Sequence, residues 1–179
     1  VNSMGVIASA GVGVAEKLCV FIMLVPSAYM QSVAAFVAQN VGAKRLDRAG
    51  KALLYGILSS LVVGLVMAYL SFFHGSALST LFVKENDTAV IMAASDYLRA
   101  YSIDCILTSF LFCFIGYFNG RGKTLFVMIQ GIVGSFGVRI PVSYLMTLTD
   151  GASLFHIGLA TPASSVVQIL LCAGYFLLL

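Results

Sequence analysis

Charge is what this sequence has least of. Only 9% of its 179 residues are Asp, Glu, Lys or Arg, while 60% are hydrophobic. A soluble domain carries about a quarter of its residues as charges, so the polar surface here is too small to cover a water-soluble globule. Clustered cysteine is missing too. Cys19, Cys105, Cys113 and Cys172 all fall in apolar runs, with no CxxC or Cys/His spacing. They read as small packing residues, not as a metal site or a disulfide frame. His74 and His156 stand alone in polar breaks and read as solvated loop residues. Nucleotide and catalytic signatures are also lacking. "GRGKT" ends like a phosphate-binding loop but lacks the GxxxxGK spacing. "GVGVAEKL" follows no strand, and no Ser/His/Asp set presents itself. The chain reads as a non-enzyme without cofactor or metal.

What is present is a series of apolar runs between short polar breaks, each of about 20 residues, the length of a membrane-crossing helix. The alternating ten-residue segments of a membrane β-barrel do not occur. The fold class is therefore all-α integral membrane. Expected spans cover about residues 14–39, 52–73, 97–119, 124–148 and 157–179 as a single membrane unit. Residues 1–10 are expected to end a preceding helix, with Gly11 and Gly13 offering a turn. Pro26 falls inside the first span and should bend it. The chain starts at Val1 without initiator Met or signal peptide and stops inside "YFLLL", so both ends read as interior to a longer polypeptide.

The breaks differ in charge. Lys44, Arg45, Arg48 and Lys51 crowd residues 40–51, and Arg121 and Lys123 crowd residues 120–123. The alternate breaks hold Lys84 with Glu85 and Asp87, and then Asp150. By the positive-inside rule the basic loops are cytoplasmic, which explains them without a nucleic-acid partner. Asp104 then lies towards the outer face.

Polar residues inside the spans are few and patterned. Tyr97, Tyr101, Asp104 and Thr108 recur at i, i+4, i+7 and i+11, one face of a helix. With the span centred near Phe110, Asp104 lies about 9 Å from the midplane, inside a core of ~15 Å half-thickness. It either faces a wet cavity or marks the headgroup level. Thr161, Ser164, Gln168, Cys172 and Tyr175 repeat the pattern in the last span, where such a stripe serves either a cavity or helix packing. Arg139, just before Pro141, either snorkels or pairs with a carboxylate of the same bundle. Gly131, Gly134 and Gly137 beside it read as close helix packing, and Glu16 with Lys17 as interfacial anchors.

At "VAAFVAQNVGAKRLDRAGKA" the sequence resembles the multidrug and toxic compound extrusion (MATE) family of cation-coupled antiporters, through Gln39, Asn40, Gly42 and Ala43 leading into a basic loop. "YLRAYSIDC", "YFNGRGKT" and "IGLATPASS" also look like later parts of a MATE lobe, in the right order. The resemblance implies twelve helices in two six-helix lobes. This chain would be the second, C-terminal lobe, from the tail of helix seven through helix twelve. It implies alternating access driven by Na⁺ or H⁺, with amphipathic, often cationic drugs, xenobiotics or metabolites as substrates. The setting would be a bacterial inner membrane, and the partners the lipid bilayer, the missing first lobe and the small-molecule substrate. Some members carry coupling carboxylates on helices seven and ten, which makes Asp104 the coupling candidate and Tyr97, Tyr101, Thr108, Thr161, Ser164, Gln168 and Tyr175 its cavity. A lipid-linked oligosaccharide flippase shares the plan but needs a cleft rich in Arg and Lys, and here Arg139 is the one basic residue within a span and away from its first few residues. A membrane scaffold without transport would not need the polar stripe.

Overall fold

The computed structural model describes residues 5–83, 87–147 and 153–178. Among them the chain is helical throughout: α1 (Val6–Gly42), α2 (Leu46–Phe73), the short α3 (Gly75–Thr80), α4 (Thr88–Gly120), α5 (Thr124–Ile132), a π-helical segment (Val133–Arg139), α6 (Ile140–Thr147), the short α7 (Leu154–Gly158) and α8 (Ala160–Leu177). Five helical stretches are long and apolar enough to cross a membrane: α1, α2, α4, Thr124–Thr147 and Leu154–Leu177. The all-α membrane lobe expected from composition is what forms. Residues 1–4, Lys84, Glu85 and Asp150 lie outside the described residues.

The expected turn at Gly11 and Gly13 does not form. Residues 6–10 are the first turns of the same 37-residue helix that carries Pro26 and the Gln39–Gly42 segment. Gly11 serves helix contact instead of chain reversal, since a Cβ there would come within 2.6 Å of the Ala93 Cβ on α4. At 1.5 Å per residue α1 is about 55 Å long, so it overshoots a ~30 Å hydrocarbon core. Pro26, expected to bend this span, is buried inside a continuous helix.

α4 is the axle of the bundle. It begins at Thr88, with the Asp87 carboxylate accepting from the Ala89 and Val90 amides, and α1, α2 and α8 pack around it. Small residues let the neighbours approach. The backbone of α1 at Met30 lies so close to Gly116 that a side chain there would collide with the Met30 carbonyl. Gly120 is held the same way against the Ala34 carbonyl. The pairs Gly11–Ala93, Met30–Gly116 and Ala34–Gly120 rise together along both helices, so α1 and α4 run parallel and end at the same side. Both end in the same turn. The Arg45 amide donates to the Asn40 carbonyl and the Lys123 amide to the Phe118 carbonyl, each at 2.8 Å. The left-handed residue each turn needs is Gly122 (φ 72°) in one and Lys44 (φ 59°) in the other. The two basic breaks therefore share one end of the lobe.

The fourth span, expected as one helix, is interrupted. Pro141 has no N–H to give the Gly137 carbonyl, and upstream of it the hydrogen-bond register lengthens, with the Ile140 amide donating to Ser135 five residues back. The fifth span starts at Leu154, slightly earlier than expected, and is divided at Leu159 into α7 and α8.

Candidate functional site

The stripe on α4 is buried along its length, from Tyr97 at 7% exposure to Asp104 at 1%. It does not act as one surface. Its upper part, Tyr97 and Tyr101, lines an open cavity of about 520 Å³ together with Glu16, Cys19 and Ser27 from α1, Arg139 from the π segment and Thr161 from α8. Met23 and Leu24 supply an apolar wall. The Tyr101 hydroxyl is buried there without a hydrogen-bond partner among the described residues, and an unsatisfied buried donor of this kind calls for an explanation.

Asp104 is not part of that wall. One turn further along α4 it is sealed beneath α8, and its Oδ1 accepts a hydrogen bond of 2.5 Å from the Ser165 hydroxyl. The carboxylate thus ties two helices 61 positions apart in sequence. Thr108 turns inward as well. Its hydroxyl donates to the Asp104 main-chain carbonyl at 2.8 Å, and its side chain borders a void of about 10 Å³ beside Ile22, Pro26 and Ser109. That is room for one water molecule. The geometry therefore pairs an accessible aromatic cavity with a carboxylate shut behind it.

Arg139, expected either to snorkel or to pair with a carboxylate, is exposed at the edge of the cavity. It makes no ion pair with a described carboxylate; the close pair among described residues is Arg99 with Asp96 on α4, at 3.5 Å. It stands in the cavity wall in company with Glu16, which reads in sequence as a mere anchor.

The stripe on α8 mostly serves packing. Thr161 alone of its members reaches the cavity. The Ser164 hydroxyl donates to the Gly134 carbonyl at 2.8 Å, and the Gln168 amide donates to Ser164 at 3.0 Å. Gln168 lies so tightly over Gly134 that any side chain at 134 would overlap its amide. Tyr175 stacks on Phe126 with ring centroids 4.2 Å apart, and Cys172 is fully buried beneath them. Ser164, Gln168 and Tyr175, expected to line the cavity, are instead the attachment of α8 to the span before it. The physical reason is that α8 lies between α4 and that span, so one polar face meets protein on both sides. Gln39, Asn40, Gly42 and Ala43 form the end of α1, where the Asn40 amide donates to the Phe36 carbonyl at 2.8 Å.

Sequence reading missed Ser165, the direct partner of Asp104, and the membership of Glu16, Cys19 and Ser27 in the cavity. A local signal exists for Glu16 alone, a charge near the start of an apolar run. Among the described residues no three His, Cys, Asp or Glu side chains come together as a metal site.

The geometry is that of a multi-helix membrane lobe with an open cavity and a sealed carboxylate behind it. The MatE family model matches residues 1–145, and the chain belongs to that family. It is 23% identical over 176 residues to the probable multidrug resistance protein YoeA of Bacillus subtilis (strain 168), a match covering 98% of this chain and 38% of that protein. Its fold is similar to a multidrug resistance MATE family transporter of the MOP superfamily in an outward-facing conformation, with TM-score 0.85 and 20% identity over 97% of this chain and 38% of that one. It is also similar to an inward-facing conformation described in the same terms, with TM-score 0.83 and 20% identity over 94% and 38%. The chain thus spans well under half the length of the proteins it matches.

Proposed function

We propose that this chain is one lobe, the second, of a cation-gradient-driven exporter of amphipathic, often cationic small molecules, working by alternating access with a partner lobe. The observation that carries this reading is the juxtaposition of the Tyr97–Tyr101 cavity with the sealed Asp104–Ser165 pair. The cavity suits such a substrate: tyrosine faces attract cations, Glu16 adds a negative charge, and Met23 and Leu24 accept an apolar body. Asp104 is the coupling group, taking H⁺ or Na⁺. A carboxylate is acceptor-only when ionised and becomes a donor when protonated, so loading it changes what it can exchange with Ser165 and hence how α4 sits against α8. The two basic turns face the cytoplasm. A polyanionic lipid-linked sugar is disfavoured, because the cavity offsets its one Arg139 with Glu16.

Ethidium efflux from cells expressing the full-length protein tests the coupling. Asp104→Asn should abolish gradient-driven efflux at equal expression. Unchanged efflux in that variant would remove Asp104 from the mechanism while leaving the family intact. Thiol labelling of single cysteines placed at 44 or 122 tests orientation, since reaction from outside intact cells would invert it.

A further inference from the structure

A second amphipathic site lies at the other end of the lobe and shares no residue with the Tyr97–Tyr101 cavity. An open trough of about 570 Å³ runs between α1 and α2, walled by Tyr29, Val33, Phe36 and Tyr55. By helix register its end towards the basic turns is marked by Arg48 and Lys51, three residues apart on α2 and so on one face. A second cavity of about 440 Å³ continues from there, bordered by Gln39, Asn40 and Arg45, and it shares Phe36 and Arg48 with the first. Neither Arg48 nor Lys51 makes an ion pair with a described acidic side chain. The two cavities together run from an aromatic and aliphatic slot to a cationic, amide-rich mouth.

We propose that this composite pocket holds an anionic phospholipid of the adjoining leaflet, one acyl chain in the trough and the phosphate among Arg45, Arg48 and Lys51. The order of surfaces is that of such a lipid, apolar first and anionic at the level where α2 leaves the membrane. Basic pockets between membrane helices on the cytoplasmic side are where acidic headgroups bind. A cationic amphiphile would meet three like charges at its head, so this is not a second copy of the proposed substrate site. The unpaired state of Arg48 and Lys51 is the charge a phosphate would neutralise. The inference does not depend on the transport reading, and it needs the orientation only to name the leaflet.

Native mass spectrometry of the full-length protein, released from micelles holding equal phosphatidylglycerol and phosphatidylcholine, tests the proposal. The wild type should retain phosphatidylglycerol in preference. Arg48→Gln with Lys51→Gln should cut that preference about 30-fold, and each single change about 5-fold, as expected for the loss of two charges or one near a headgroup. The single changes keep the test open if the double variant folds poorly. Arg121→Gln with Lys123→Gln, at the same end but outside both cavities, should leave the preference intact. No preference in the wild type, its survival in the Arg48 and Lys51 variants, or equal loss in the Arg121 and Lys123 control would overturn the proposal. So would a trough that binds neither lipid and shields a Tyr55→Cys thiol from reagent, since that assigns it to another part of the polypeptide.

Discussion

α4 and the span Thr124–Thr147 are both apolar enough to cross a membrane, yet 56% of the most apolar stretch of α4 is buried and only 11% of the other. The difference lies in what meets their small residues, since Gly131 of the other span faces open space while Gly116 and Gly120 of α4 lie against the α1 backbone. α4 turns Ala94, Ala100, Ser109 and Gly116 to its neighbours, so three helices close on it. The other span turns outward Leu125, Met128, Phe136 and Ile140, each more than half exposed. Its attachment rests on a few points, namely Ser164 and Gln168 over Gly134 and Tyr175 on Phe126. Hydropathy decides that a helix enters the membrane. Close approach of a neighbour at its small residues decides whether it becomes core or limb.

The sharpest way to break this contrast is to enlarge one glycine in each helix. Gly116→Leu forces the α1 backbone at Met30 away, and thermal unfolding of the full-length protein in detergent should show a loss of about 3 kcal/mol, the upper end for overpacking. Next in size is Ser165→Ala, which strands the Asp104 carboxylate and should cost about 2 kcal/mol by the same measurement. A double-mutant cycle with Asp104→Asn should return a clear coupling energy, and additivity would deny the contact. Ser164→Ala, on α8 where it holds the limb, removes a neutral hydrogen bond and should cost about 1 kcal/mol. Smallest of all, Gly131→Leu points into open space and should change stability by no more than about 0.5 kcal/mol. A large loss there would mean that the limb packs as tightly as the axle.

Much of the lobe was readable from residues alone, because apolar run length and break position are local quantities. The spans around α2 and α4 follow directly from them. The placement of Gly11 did not, since one glycine suits a turn or a close contact equally and only the Ala93 side chain decides. The stripes on α4 and α8 were legible as stripes. Their division was not, because whether Tyr101 meets a cavity and Asp104 meets Ser165 depends on how α8 lies across α4. The place of Arg139 in the cavity wall was not legible for a related reason: a helical wheel assumes an uninterrupted helix.

That assumption fails over Val133–Arg139. Each residue absorbed into a wider turn delays everything beyond it by roughly 100° about the axis, the angular step of an α-helix. Upstream of the π segment, the wheel holds; at its end and beyond, Arg139 and Ile140 sit at azimuths that an unbroken helix would give to other positions. The segment thus acts as an indexing notch. It sets which side chain of the limb looks into the cavity without altering a single residue of the limb's apolar face.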